Sequence, residues 1–280
     1  MITKHADLLE NWRTLSYAVV PELISLSRAA RLCAICDGIL AQWRARDPQT
    51  GAPGDKPDAT VMRHLNHPDY FAQHPEWFAP LMDAVADDHV RDVARAVFGE
   101  EPMFRCTSLF FNPSGIELEG NWHRDSQFGA PDDDAERGVI AKAGADGAGM
   151  QLQIALLPSD DIEVVPGSHL RWDLPDEYAI RKAAGGMHNR ANSMPGALRI
   201  RQAPGDAVLF NAMAIHRGRY YASVPRRTLM LTYTRASQPH FDYFSNQPWF
   251  AQPGYVDRLT RHTRAFFEPF VAQYRDNWTH

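Results

Sequence analysis

The sequence predicts a mainly β core flanked by helices. Between residues 102 and 235, short segments rich in β-branched and aromatic residues alternate with turn residues, as in all-β domains. Helical periodicity dominates on both sides of this region. We expect one domain over residues 1–280, with a mainly helical region at 1–101, the β core at 102–235 and a helical extension at 236–280. The predicted core strands are 103–112, 151–157, 162–165, 207–210 and 228–234.

The first hundred residues justify the helical N-terminal region. A short strand at 15–20 is stopped by Pro21, and a helix follows. Residues 48–58 are rich in Pro, Gly and Asp, which indicates a surface loop. A second helical region then ends at Phe98-Gly99, where glycine is placed to terminate it. Its apolar stripe consists of Leu81, Val85, Val90, Val93, Ala94 and Val97.

The cysteines and the C-terminal aromatic residues both favour packing. Cys33 and Cys36 form Cys-x-x-Cys, but no second pair completes a zinc site, so we expect buried helix residues. The C-terminal extension carries aromatic side chains at helical spacing, which predicts a helix packed on the core. A contact between two copies of the chain through this helix, or a pocket wall, is the alternative.

Composition and charge narrow the function classes. The net charge of -5 and pI near 6.2 disfavour a nucleic-acid partner, because phosphate binding depends on clustered Lys and Arg. No stretch approaches eighteen apolar residues, so we expect no membrane partner. The N-terminus shows no apolar signal-peptide segment, and we therefore expect a cytoplasmic protein.

The most informative motif is His123-Arg124-Asp125, with a second histidine, His216, 91 positions after Asp125 and Arg227 eleven positions later. This spacing is typical of an iron-dependent oxygenase. Two imidazoles and one carboxylate on one face of a metal leave three coordination positions open. Ferrous iron needs such open positions to hold both a cosubstrate and dioxygen.

Three blocks carry a resemblance to a known family. They are Trp122-His123-Arg124-Asp125, then residues 164–169 (Val-Val-Pro-Gly-Ser-His), then residues 205–210 (Gly-Asp-Ala-Val-Leu-Phe) leading to His216. From about Tyr17 to Thr234 the chain resembles the phytanoyl-CoA dioxygenase family of iron(II)- and 2-oxoglutarate-dependent oxygenases. The resemblance implies a cupin-like double-stranded β-helix, or jelly roll.

The same resemblance implies roles for individual residues. His123, Asp125 and His216 would bind Fe(II), and Arg227 would hold the distal carboxylate of 2-oxoglutarate. A planar guanidinium suits that carboxylate because it donates two charge-assisted hydrogen bonds. Arg227 shares a strand face with Leu229, Leu231 and Tyr233, whereas Arg226 points away; a register shift of one residue would give the role to Arg226.

The implied reaction consumes 2-oxoglutarate and O2, releases succinate and CO2, and hydroxylates an unactivated C–H bond of a small-molecule substrate, for which a secondary metabolite or a lipid-like molecule is the expectation. Desaturation or ring chemistry within the family is an alternative. So is a catalytically silent jelly-roll protein that binds a metal or a small molecule. Asp125 argues against halogenation, for which related enzymes replace this carboxylate with a small residue.

Four further features bear on the site. Gln151 and Gln153 give one strand a polar face that could line a pocket or meet solvent. Residues 126–150 form a polar insertion directly after the metal pair, which is typical of a lid. Arg124 and Gly218 depart from the family pattern, which often has glutamine and a small hydroxyl residue at these positions. His169 is expected to hold a loop and not the metal.

Overall fold

The fold is built on two β-sheets, one of six strands and one of four. In the computed structural model, which describes residues 5–147 and 149–278, six strands pair in the order β1-β8-β5-β10-β3-β2 and four more in the order β4-β9-β6-β7. All pairings recorded for these residues are antiparallel. The strands are β1 (Tyr17–Val20), β2 (Val61–Arg63), β3 (Pro102–Phe111), β4 (Leu118–Glu119), β5 (Gly149–Ala155), β6 (Ser159–Val164), β7 (Leu198–Gln202), β8 (Ala207–Phe210), β9 (His216–Tyr220) and β10 (Arg227–Arg235).

Five of the helices, at residues 5–15, 26–45, 78–85, 88–98 and 261–274, pack against one face of the larger sheet. Helix α4 begins at Asp87, whose side chain accepts from backbone N–H groups of the first turn, and ends at Gly99 in a left-handed conformation with φ of 71°. The helices are α1 (His5–Leu15), α2 (Leu26–Ala45), α3 (Phe78–Val85), α4 (Asp88–Phe98), α5 (Asp133–Ala143), α6 (Pro175–Arg181), α7 (Ala183–Gly186) and α8 (Arg261–Tyr274). None of the helices in the described ranges is both long and apolar enough to cross a membrane.

Two apolar clusters hold these layers together. The larger lies between the helices and the outer face of the six-stranded sheet, where Leu229 and Leu231 of β10 are fully buried. Phe267 and Phe270 of α8 stack edge-on against Phe104 in the same cluster. The smaller cluster joins the two sheets through Ile162, Val164, Ile200, Val208, Phe210 and Ala214. Two facing antiparallel sheets with helices on one side form the predicted jelly roll.

The predicted strands all occur, with small differences at their ends. Strands β2, β4, β7 and β9 were not predicted: β2 and β4 have only three and two residues, and β7 and β9 each contain two arginines, which is typical of a charged loop. The insertion at 126–150 contains helix α5, which begins at Asp132, an N-cap that accepts from the backbone N–H of Ala135. Cys33 and Cys36 are buried free cysteines of α2, as expected.

Gly205 makes a close backbone contact that positions β8. Its φ is +92°, and a Cβ at this position would lie 2.4 Å from the carbonyl oxygen of Ile24. We expect Gly205→Ala to lower the free energy of unfolding by about 2 kcal/mol or more, measured by urea denaturation. Gly51→Ala is the matched control, since Gly51 has φ of +73° but no atom within 4 Å of the added Cβ. Equal losses in the two variants would show that the contact with Ile24 is unimportant.

Candidate metal centre

Backbone pairing brings the two predicted histidines together. The N–H of His123 donates to the carbonyl of His216 at 3.0 Å, and the N–H of His216 donates back at 2.9 Å. This isolated antiparallel bridge sets the two imidazole centroids 4.3 Å apart. The N–H of Asp125 donates to the carbonyl of Ala212 at 2.9 Å. This bond attaches Asp125, the third predicted ligand, to the segment that leads into His216.

The side chains converge through their outer atoms. The Nε2 atoms of His123 and His216 each lie 3.7 Å from Oδ1 of Asp125. Each of the three residues offers one potential ligand atom, and these three atoms all lie within 4.8 Å of one another. Two nitrogens and one carboxylate oxygen on one side of a small volume form the donor set of a facial triad.

Hydrogen bonds at Nδ1 orient both imidazoles. Nδ1 of His123 lies 2.6 Å from the carbonyl oxygen of Asn121, and Nδ1 of His216 lies 3.0 Å from that of Ala214. A carbonyl only accepts, so each Nδ1 carries the proton and each Nε2 presents its lone pair to the metal position. Oδ2 of Asp125 accepts from Nε2 of Gln151 at 2.7 Å, which leaves Oδ1 directed toward the histidines.

Burial shifts the pKa values of two members. Burial and the charge of His123 hold the pKa of His216 well below its usual value, so its ring is neutral at pH 7. Burial raises the pKa of Asp125, and the charges of His123 and Arg63 oppose that rise in part. Neutral imidazole is the form that binds a metal ion, and a cation would relieve the cost of a partly buried carboxylate.

Two polar side chains on the inner face of the larger sheet each carry an oxygen atom that has no hydrogen-bond partner among the described residues. Gln153 is 5% exposed, and its Oε1 accepts no hydrogen bond, while its Nε2 reaches only Sδ of Met230 at 4.0 Å. The hydroxyl of Thr232, also 5% exposed, is unpaired as well. Buried polar atoms are nearly always hydrogen-bonded, so these two point to a polar ligand inside the barrel. The side chains of Gln151 and Gln153 thus both lie on the inner face of the sheet, where Gln151 donates a hydrogen bond to Asp125.

The structure does not bring Arg227 to this site. Arg227 does share a face with Leu229 and Leu231, as the alternation predicts, but that face packs against the helices. Its Nε lies 2.5 Å from Oδ1 of Asp37 in α2, and its Nη1 donates to Asn112 at 3.1 Å. The expectation that Arg227 faces the metal is therefore wrong, because the apolar face of β10 is the outer one.

Arg226 occupies the inner face instead. It is 3% exposed, with its guanidinium carbon 4.8 Å from the ring centroid of Tyr220. Tyr220 and His216 are four positions apart on β9 and so point to the same side of that strand. Nε of Arg226 lies 3.3 Å from Oδ2 of Asp161. Among the residues that the structure describes, its two Nη atoms make one long contact, 3.4 Å to the carbonyl of Arg219. Arg226 is thus a buried cation on the metal side of the sheet.

The space at Gly218 is filled by a neighbour. A Cβ added to Gly218 would lie 2.5 Å from the hydroxyl oxygen of Tyr220, so the phenol folds back over the glycine. Gly218 lies between His216 and Tyr220 on the inner face of β9. The missing side chain at position 218 is therefore replaced in space by a phenol.

An aromatic ring and a positive charge lie near the triad, and the sequence did not indicate either of them. Phe128 is 73% exposed, and its ring lies 5.5 Å from that of His123. The guanidinium of Arg63 lies 4.7 Å from the ring of Phe244 and donates to Ser108 at 3.3 Å. Within residues 5–147 and 149–278, no carboxylate forms an ion pair with Arg63, although its charge acts on Asp125.

His169 holds a loop, as expected. Its side chain is fully buried, and Nε2 lies 3.2 Å from the carbonyl oxygen of Arg13, far along the chain in α1. Burial, aided by the charge of Arg124, lowers the pKa of His169 to about 4. The fold therefore requires the neutral ring.

Because the folded protein requires neutral His169, its stability should fall at acid pH. Because the folded pKa lies below the unfolded value near 6.5, the contribution to stability is complete above about pH 6.5 and falls as the pH drops toward 4. We expect the wild type to lose about 2 kcal/mol more unfolding free energy between pH 7 and 5 than His169→Gln. Urea denaturation at each pH measures the difference, and parallel curves for the two proteins would contradict it.

Comparison with known proteins connects this geometry to a family. The family model described as Phytanoyl-CoA dioxygenase matches residues 17–228. Among solved structures, AviO1 from Streptomyces viridochromogenes Tue57 is 18% identical, with 86% of this chain and 100% of that chain covered and a TM-score of 0.59. EctD from S. alaskensis with bound Fe is 21% identical over 89% of this chain and 83% of that chain, with a TM-score of 0.59.

A third structure adds a different reaction. The non-heme alpha ketoglutarate dependent epimerase SnoN from nogalamycin biosynthesis is 15% identical, covers 83% of both chains and has a TM-score of 0.56. At identities this low, the structural similarity shows a common fold and no more. It confirms the predicted jelly roll. The comparison with curated proteins gave no significant match.

Proposed function

Because the chain belongs to the phytanoyl-CoA dioxygenase family, a family of iron(II)- and 2-oxoglutarate-dependent oxygenases, we propose that it hydroxylates an unactivated C–H bond of a small-molecule substrate. The observation that carries the proposal is the convergence of His123, Asp125 and His216, with both Nε2 atoms directed at Oδ1 of the carboxylate. This donor set leaves one side of the metal position without protein ligands, as an oxygenase requires.

The residues fit the proposed cofactors. His123, Asp125 and His216 would hold Fe(II), and the unpaired polar atoms of Gln153 and Thr232 suit an oxygen-rich ligand beside it. When bound, Fe(II), 2-oxoglutarate and O2 supply the oxidising chemistry, with succinate and CO2 released. The protein orients its ligands through the Nδ1 hydrogen bonds and the Gln151 contact, and the buried inner face excludes water.

Arg226 is the residue we propose for the distal carboxylate of 2-oxoglutarate, in place of Arg227. Its Nε edge is held by Asp161, so the Nη atoms are available for a second acid. The rings of Phe110 and Tyr220, at 5.2 and 4.8 Å from its guanidinium carbon, restrict its movement. A preset guanidinium loses little side-chain freedom when it binds a carboxylate.

Paired arginine variants test this assignment. We expect Arg226→Ala to raise the KM for 2-oxoglutarate by about 10- to 100-fold, because a charge-assisted pair contributes about 1.5 to 3 kcal/mol. Arg226→Lys should recover part of the loss, since it restores a charge but not the planar fork. Arg227→Ala is the matched control and should leave this KM within about twofold. Succinate formation gives all three values, and the reverse ranking of Arg226→Ala and Arg227→Ala would return the role to Arg227.

Ligand removal tests the metal centre. Asp125→Ala and His123→Ala should lose both iron retention after anaerobic loading and succinate formation when oxygen is admitted. His169→Gln serves as a control, because His169 lies in the fold and not in the triad. Iron retention by the wild type without any succinate above background would instead support a silent binding protein.

A further inference from the structure

The residue between two of the proposed metal ligands turns into the protein. Arg124 lies between His123 and Asp125, and its side chain is fully buried. Its Nε and Nη2 donate to Oδ1 of Asp173 at 3.0 and 2.9 Å, and its Nη1 donates to the carbonyl of Ser168 at 2.8 Å. The short segment that carries two proposed ligands is thus held from behind by a buried guanidinium.

Arg124 belongs to a chain of four fully buried charges. Oδ2 of Asp173 accepts from Nε of Arg181 at 2.6 Å, and Nη1 of Arg181 donates to Oε1 of Glu136 at 2.8 Å. We call Arg124, Asp173, Arg181 and Glu136 the buried ionic cluster; their side chains are all 0% exposed. Two positive and two negative charges balance, so removing one leaves an uncompensated charge in the interior.

Glu136 connects the insertion after the metal pair to this cluster. It is the residue of α5 that enters the cluster, and its Oε1 also accepts from the hydroxyl of Ser126 at 3.1 Å. Ser126 directly follows Asp125, and Gln127 accepts from Nη1 of Arg181 at 2.8 Å. Lys182 donates to Oε2 of Glu136 at 2.7 Å. One carboxylate therefore joins α5, α6 and the metal-ligand segment.

We propose that Glu136 is a positioning residue for the metal centre, which makes the docking of helix α5 and the affinity of the triad for its metal thermodynamically coupled. The inference rests on the proposed metal site. Glu136 contacts Ser126, the residue after Asp125, directly, and it reaches Arg124, the residue before Asp125, through Arg181 and Asp173. Groups behind metal ligands typically change affinity by about 10- to 100-fold when removed, because they orient the ligands.

Anaerobic calorimetric titration with Fe(II) tests the forward coupling. We expect Glu136→Gln to weaken iron binding about 10-fold or more relative to the wild type. Asp134→Asn is the matched control: it removes a carboxylate from the same helix, but its side chain is 100% exposed and should leave affinity within about twofold. Failure of the wild type itself to bind Fe(II) would refute the proposed metal site, whereas equal affinities in the wild type and Glu136→Gln would refute the coupling alone.

Hydrogen exchange tests the reverse direction. Coupling is reciprocal, so Fe(II) should slow amide exchange in α5 of the wild type by about the same factor that the metal gains from docking. The slowing should be absent in Glu136→Gln. Exchange in α5 that is independent of Fe(II) in the wild type would overturn the proposal.

A milder variant keeps the inference testable if Glu136→Gln does not fold. Lys182→Met removes the ammonium that contacts both Glu136 and Asp133 of α5, from a side chain that is 24% exposed, without breaking the pair of Glu136 with Arg181. We expect weaker Fe(II) binding and faster α5 exchange together, both smaller than for Glu136→Gln. Faster α5 exchange with unchanged iron affinity would show that the helix and the metal site are independent.

Discussion

The backbone bridge between His123 and His216 is the constraint on which the site depends. Two reciprocal hydrogen bonds of 3.0 and 2.9 Å join residues that are distant in sequence and belong to segments before and after most of the barrel. The bridge fixes the separation of the imidazoles, and the Nδ1 contacts to Asn121 and Ala214 fix their rotation. Folding therefore arranges the donor atoms in advance, so that metal binding loses little conformational entropy in ordering them.

This arrangement has a cost in stability. Oε1 of Gln153 and the hydroxyl of Thr232 are buried without a hydrogen-bond partner. Each such atom costs about 1 to 3 kcal/mol of folding free energy. The raised pKa of Asp125 has the same origin, because burial disfavours its charged form. The large apolar cluster on the outer face of the six-stranded sheet compensates for these losses. Stability and chemistry are thus located on opposite faces of the same strands.

The separation of faces explains what the sequence could and could not predict. Strands such as β8 and β10 were predicted because apolar residues line them, and the triad was predicted because its residue types and spacing are specific. The choice between Arg226 and Arg227 depends on which face of β10 is internal, and alternation alone does not decide that. The inner residues Thr228, Met230 and Thr232 are the more polar set, and in a small barrel that holds a ligand the polar face is the inner one.

Helix α5 was missed for a different reason. Its first turn contains Asp133 and Asp134, and glycines surround it, so composition indicates a loop. Acidic residues in a first turn are also what a helix dipole favours, and Asp132 supplies the cap. The decisive contacts of Glu136 are with α6 and with Ser126, which no local pattern reveals.

The departure from the family pattern at Gly218 is explained by its neighbour Tyr220. The phenol of Tyr220 occupies the volume that a side chain at 218 would need, with its oxygen 2.5 Å from the Cβ position. The same ring lies 4.8 Å from the guanidinium carbon of Arg226. A larger residue at 218 would displace the ring and remove the aromatic surface on which the arginine rests. The glycine is therefore required by the tyrosine, and the tyrosine links the strand that carries His216 to the proposed cosubstrate arginine.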